Sequence, residues 1–148
     1  GYIGAPEFIA KACTKIQGQV TSGANSIAQR ATIAAVEADP KVLNYMVEAF
    51  HKRRDLVVGL IQEIPGLKIN VPEGAFYVFP DVSSFFGKTL NGTKIENATD
   101  FSMYLLSQAN VATVTGEAFG NPDCIRFSYA TSEELLVEAL LRIKEVLA

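Results

Sequence analysis

Cysteine and histidine are scarce in this sequence. Two cysteines, Cys13 and Cys124, and one histidine, His51, stand among 148 residues. Two cysteines make no disulfide framework, and both sit among apolar neighbours, which points to a reduced, cytoplasmic setting. A single histidine leaves one candidate for a His-based triad, and the cysteines lack the spacing of a metal site. Positive charge is not in excess either. The formal net charge is −3 and the pI about 5.2, so nothing in the balance attracts a nucleic acid. His51 lies in the only dense basic run, His51-Lys52-Arg53-Arg54, expected to be a solvated helix face. No stretch nears the ~18 consecutive apolar residues that a membrane helix needs, and no secretory pattern opens the chain. A Walker-type phosphate loop and a Gly-x-Gly-x-x-Gly turn are both missing. Asn91-Gly92-Thr93 and Asn97-Ala98-Thr99 match the glycosylation sequon, a pattern that occurs often by chance.

What is present is an ordinary globular balance, 49% hydrophobic and 20% charged, long enough for a real core. Residues 6–17 predict a helix with Pro6 at its start, Gly18 after its end and a stripe of Phe8, Ile9, Ala12, Cys13 and Ile16. A polar loop follows. A second helix is expected from Ser26, capped by the Ser26/Gln29 pair, with Ile27, Ala31, Ala34, Ala35 and Ala38 as its inner face. Asp39-Pro40 would end it and open a long helix over 41–64, about 35 Å at 1.5 Å per residue. Strands are expected at 67–71 and 75–79, paired like a hairpin, and a mobile loop over 86–98. Thr99 is expected to cap a helix over 100–109 buried through Phe101, Tyr104 and Leu105. Strands at 111–114 and 124–129 and a helix from Thr131/Glu134 to Leu147 complete the pattern. The order changes from all-helical to β-β-α-β-β-α near Pro65-Gly66, which favours a small layered α/β domain with helices on one sheet face.

Arg126 is the residue with chemical promise. It lies inside the apolar strand Cys124-Ile125-Arg126-Phe127-Ser128-Tyr129. Period-two alternation puts Cys124, Arg126 and Ser128 on one face and Ile125, Phe127 and Tyr129 on the other. A guanidinium on a buried strand costs several kcal/mol unless it is paired, either internally with a carboxylate or with an anionic ligand held by its bidentate fork. The residues alone leave both readings open.

The segment Cys124-Ile125-Arg126-Phe127-Ser128-Tyr129-Ala130-Thr131-Ser132-Glu133-Glu134 resembles the C-terminal signature of class I aminotransferases, pyridoxal-phosphate enzymes of fold type I. Four more segments match in order. Gly1-Tyr2-Ile3-Gly4-Ala5-Pro6 is similar to the segment just after the lysine that carries the cofactor. Thr21-Ser22-Gly23-Ala24-Asn25-Ser26-Ile27-Ala28-Gln29 is similar to the loop and helix that follow. Pro72-Glu73-Gly74-Ala75-Phe76-Tyr77-Val78-Phe79 resembles the Gly-x-Phe-Tyr strand of the small domain. Val111-Ala112-Thr113-Val114-Thr115-Gly116-Glu117-Ala118-Phe119-Gly120 resembles the Val-x-Val-x-Pro-Gly-x-x-Phe-Gly segment, with Thr115 where proline is usual. The flavour is that of bacterial aspartate aminotransferases.

The resemblance implies an α/β fold: a small C-terminal domain, with a mixed sheet and helices on one face, preceded by helices from the end of the large domain. It divides the chain into residues 1–40 as a remnant of the large cofactor domain, 41–64 as an interdomain helix and 65–148 as the small domain. It implies amino-group transfer between an amino acid and a 2-oxo acid, aspartate and 2-oxoglutarate being the expected pair, with pyridoxal 5′-phosphate as cofactor. Arg126 would bind the substrate's α-carboxylate. Thr21 and Ser22 would reach the cofactor phosphate of the neighbouring subunit in a homodimer. Phe76 is expected to pack. The chain opens on Gly-Tyr with no methionine, as if inside a motif, and the cofactor-carrying lysine would lie shortly before Gly1. The 148 residues alone are therefore expected to hold no covalent cofactor and to be inactive. A lyase or decarboxylase on the same fold, a sensor domain of a transcription regulator and a non-catalytic α/β binding module stand as alternatives.

Overall fold

The computed structural model describes residues 2–148; Gly1, the first residue of the earliest matched segment, lies outside them. The chain divides into two compact units, Gly1–Leu43 and Asn44–Ala148, each described by itself.

The first unit is helical. Helix α1 spans Glu7–Val20 and runs through Gly18 to Thr21, whose N–H closes the last turn on Gln17 O. Gly18 was expected to stop it, but glycine inside a helix only weakens it by about 1 kcal/mol. The break comes at Ser22, with φ of 65°. Helix α2 spans Ser26–Glu37, and its cap is Asn25, one residue before the expected Ser26. Asn25 Oδ1 accepts from the Ile27 N–H at 2.8 Å, and Gln29 Nε2 donates to Ala24 O. A 3-10 turn, Pro40–Leu43, ends the unit, with Asp39 Oδ1 accepting from the Lys41 N–H. No residue of either helix is buried. Phe8 and Ile27 are 74% and 78% exposed, so neither the α1 stripe nor the expected inner face of α2 is covered within this unit.

The second unit holds the core. Helix α3 spans Asn44–Gln62, shorter than expected because residues 40–43 form the tighter 3-10 turn. It buries Val57, Val58 and Ile61. Helix α5, Glu133–Leu147, buries Leu136, Leu140 and Ile143, at the three- and four-residue spacing of one helix stripe. Its cap is Ser132, not Thr131: Ser132 Oγ accepts from the Leu135 N–H. Between them α4, Ala98–Tyr104, is capped by Asn97 rather than Thr99, and runs into a π-helical turn over Leu105–Ala109. Phe101, Tyr104 and Leu105 are fully buried, each contributing about 2–3 kcal/mol by leaving water.

Three short strands form the main sheet: β1 (Tyr77–Val78), β4 (Val114–Thr115) and β5 (Ile125–Ser128). Strand β5 is central, and both pairings are antiparallel, Tyr77 opposite Ser128 and Val114 opposite Arg126. The expected hairpin of 67–71 with 75–79 reduces to one bridge, Lys68 to Asp81, because β1 pairs with β5 instead. The expected mobile loop is ordered: β2 (Thr89–Leu90) and β3 (Thr93–Lys94) form a hairpin. Asn91 and Gly92, at φ of 46° and 82°, make the left-handed two-residue turn that an Asn-Gly pair favours. Both sequon asparagines have structural partners, Asn91 on Tyr104 Oη and Asn97 on the α4 cap. The basic run is not a plain solvated face either. Lys52 pairs with Glu133, Arg53 lies over the Phe50 ring, and Arg54 donates to Pro72 O.

Candidate active site

The sheet has two unlike faces. Along β5, Ile125 and Phe127 are buried while Arg126 is half-buried and Ser128 exposed. The register carries that alternation across the ladder, placing Tyr77 beside Ser128 and Val114 beside Arg126 on the outer face. The inner face, with Val78, Ile125 and Phe127, belongs to the core. Cys124, expected on Arg126's face, is buried. Its thiol is pushed up, first by burial and then by the charges of Asp81 and Asp123, so it is a poor nucleophile.

Arg126 finds no carboxylate. Among the described residues, none of the ion pairs and none of the side-chain hydrogen bonds involves it. Its guanidinium carbon instead lies 4.3 Å from the Tyr77 ring centroid and 4.1 Å from that of Phe119. Tyr77 comes from β1, and Phe119 from the 3-10 turn Gly116–Phe119 that follows β4. The internal ion pair open from the sequence is thus not formed, and the charge rests against two ring faces. Stacking of this kind leaves the in-plane N–H donors as the groups that can meet a ligand. Neither ring was singled out in the sequence. The signal was there: Tyr77 shares Arg126's face once β1 is paired with β5, and Phe119 is the aromatic of the Gly-x-x-Phe segment.

The turn that presents Phe119 depends on Gly116. A Cβ there would lie 2.3 Å from Asn121 O and 2.4 Å from Cys124 O. Gly116 N–H donates to Cys124 O at 2.7 Å, and its own carbonyl accepts from the Asn121 N–H at 3.1 Å. Phe119 also meets Phe79 edge-on at 6.4 Å. Thr115, which stands where the resemblance leads one to expect proline, has φ of −56°, inside proline's own range.

A cleft of about 410 Å³ elsewhere in the second unit is lined by Met46, Phe50, His51, Arg54, Glu73 and Tyr129 among others. Three of its polar side chains are engaged. Arg54 bonds Asp55 and Pro72 O, Tyr129 Oη donates to Ala75 O, and His51 lies 3.5 Å from Asp55. Phe76 packs near Phe50 and against Tyr77. Thr21 and Ser22 lie in the first unit, exposed on the loop between α1 and α2. Thr21 Oγ1 accepts from Gln17 Nε2, which leaves its own O–H to donate. No cluster of three or more metal-ligating side chains occurs among the described residues, and no helix there is long and apolar enough to cross a membrane.

The model of one protein family, aminotransferase class I and II, matches residues 1–143. The chain belongs to that family. It is 46% identical over 99% of its length to a bifunctional aspartate aminotransferase and glutamate/aspartate-prephenate aminotransferase of Petunia hybrida. It is 47% identical over 97% of its length to an aspartate aminotransferase of Rhizobium meliloti (strain 1021). The crystal structure of the aspartate aminotransferase from Rhizobium meliloti superposes with a TM-score of 0.87 at 44% identity, covering 97% of this chain and 36% of that one. The chain spans 32% and 35% of the length of the two curated relatives. The α/β fold and the family expected from the motifs are therefore correct.

Proposed function

We propose that this chain is the C-terminal portion of a pyridoxal-phosphate-dependent aminotransferase, and that it supplies the arginine gripping the α-carboxylate of amino-acid and 2-oxo-acid substrates. One observation carries this reading: Arg126, on the outer face of the central strand, has no carboxylate partner among the described residues and lies over two aromatic rings, with no side-chain hydrogen bond there on its N–H groups. A carboxylate meeting those groups accepts two parallel charge-assisted hydrogen bonds. The substrate's first carbon is then fixed relative to the sheet, which orients its Cα bonds for the step that follows. Aspartate and 2-oxoglutarate are the proposed pair, supported by the relatives' names.

Pyridoxal phosphate, when bound, supplies the electron sink of such a reaction. The residues of this chain that fit it are Thr21 and Ser22, two exposed hydroxyls on one loop with O–H groups able to donate to phosphate oxygens. In this reading they serve the partner subunit of a cytoplasmic homodimer. Residues 1–40 are the end of the cofactor domain, 41–64 the helix between domains and 65–148 the small domain. By the motif match at residues 1–6 the cofactor-carrying lysine is none of this chain's own lysines, and we infer that the 148 residues by themselves are inactive.

The test is steady-state transfer from aspartate to 2-oxoglutarate in the full-length protein, with Arg126→Lys and Arg126→Ala. Truncating one member of a desolvated charge pair costs about 2–5 kcal/mol, roughly thirtyfold to several thousandfold in kcat/KM. Both the amino acid and the oxo acid should be affected, since one arginine serves both. A kcat/KM within threefold of the parent for either substrate overturns the assignment. A visible absorption band from covalently held cofactor in the purified 148-residue chain overturns the statement that it is inactive by itself.

A further inference from the structure

The two rings at Arg126 do more than fill space. The three strands bring them together from opposite neighbours of β5. Tyr77 arrives from β1 and Phe119 from the turn after β4, at 4.3 and 4.1 Å from the guanidinium carbon. Phe119 is 47% exposed, on a turn whose shape requires the tight backbone approach at Gly116. A guanidinium is weakly hydrated on its faces and strongly hydrogen-bonding at its edge. Rings against the faces therefore fix the plane of the group and keep water from it, while the edge donors stay available.

We propose that Tyr77 and Phe119 form an aromatic clamp that positions Arg126, so that the site takes a carboxylate presented in the guanidinium plane. The proposal rests on the reading that Arg126 binds a carboxylate. The clamp explains why the position needs arginine: a lysine ammonium has no plane to hold and no fork to present. It also assigns a task to two motif residues that the sequence left without one. The aromatic of the Gly-x-Phe-Tyr strand that serves the site is Tyr77, while Phe76 turns to Phe50.

The experiment uses the ¹⁵N-labelled 148-residue chain with succinate as the carboxylate probe, followed at the Arg126 Nε–Hε resonance. Tyr77→Leu and Phe119→Leu keep apolar bulk and remove a ring; Tyr77→Phe and Phe119→Tyr keep the ring. Ring currents on both sides displace the parent resonance upfield, and each leucine variant should move it back. Each leucine variant should weaken succinate binding roughly threefold to tenfold, the scale of one cation–π contact, while the ring-keeping variants stay within twofold. Leucine variants that bind within twofold of a parent that does bind overturn the clamp alone. A parent whose Arg126 resonance is unmoved by succinate, or an Arg126→Ala chain whose backbone amide resonances titrate with succinate as the parent's do, overturns the underlying reading. If Phe119→Leu disrupts its turn, Tyr77→Leu carries the same test from a strand anchored by buried Val78.

Discussion

Substituting Gly116 by alanine should be among the most damaging single changes in the second unit. Its backbone is not in the left-handed region, so the cost is one of space, not of torsion. The added Cβ would sit 2.3 Å and 2.4 Å from two backbone carbonyl oxygens, those of Asn121 and Cys124. Neither can yield as a flexible side chain could. Relieving the overlap moves the turn by about an ångström and costs about 1–3 kcal/mol in overpacking. The same movement breaks the 2.7 Å bond from Gly116 N–H to Cys124 O and the 3.1 Å bond from Asn121 N–H to Gly116 O, worth about 1 kcal/mol each. The sum is about 3–5 kcal/mol, against the 5–15 kcal/mol that typically holds a domain together. With a urea slope of about 1–3 kcal/mol per molar, the unfolding midpoint of the second unit should fall by roughly 1–5 M, followed by circular dichroism. In chains that remain folded, Phe119 should leave Arg126 and the Arg126 Nε resonance should lose the part of its upfield displacement due to that ring. A loss below about 1 kcal/mol would refute the reasoning, since it would mean that the turn accommodates a methyl where no space exists.

Thr115→Pro should be tolerated. The ladder places Gly116 N–H on Cys124 O and pairs Val114 with Arg126, so by antiparallel alternation the intervening Thr115 N–H points away from β5. Its φ of −56° suits proline, and a thermal melt should show no loss, or a gain of about 0.4–1 kcal/mol from the stiffened unfolded chain. Asp81 should contribute to acid sensitivity. Its carboxyl is held below the ordinary range, first by the Ser83 side chain, then by the Ser83 N–H, with Lys68 adding and burial opposing. The folded value lies below the unfolded one, so the contribution is present above the ordinary carboxylate range and is lost as pH falls through and below it. Asp81→Asn should therefore flatten the acid limb of a stability-versus-pH curve; an unchanged limb would sink this attribution.

The parts of the fold legible in the sequence were those where one face had to be buried. Phe101-Tyr104-Leu105 and the Ile125/Phe127 alternation both sit where the pattern put them. Caps were found to within one or two residues and chosen wrongly. Asn25, Asn97 and Ser132 do the work expected of Ser26, Thr99 and Thr131, because adjacent polar residues all have capping chemistry and only the backbone turn decides among them. The 89–94 hairpin was passed over although Asn91-Gly92 announced it, since polar flanking residues hid the strands. The stripes of α1 and α2 are apolar as read, and nothing within the first unit covers them. Periodicity reports that a face is apolar; it does not say what covers it.

For the site, the sequence singled out Arg126 but could not decide between an internal carboxylate and a ligand, because that depends on which strands flank β5. Pairing β5 between β1 and β4 settles the geometry. The residues that reach Arg126 across the ladder are an aromatic and the turn carrying another aromatic, not an acid. The same pairing separates two kinds of consequence along a single strand. Changes at Ile125 or Phe127 remove core packing and should be read in stability, at about 1–5 kcal/mol for truncation. Changes at Arg126, or at the rings against it, fall on the outer face, where little apolar area is lost, and should be read in carboxylate affinity. On the proposed reading a four-residue strand alternates between holding the domain together and holding a ligand, and the side chain's parity along β5 predicts which of the two a substitution will disturb.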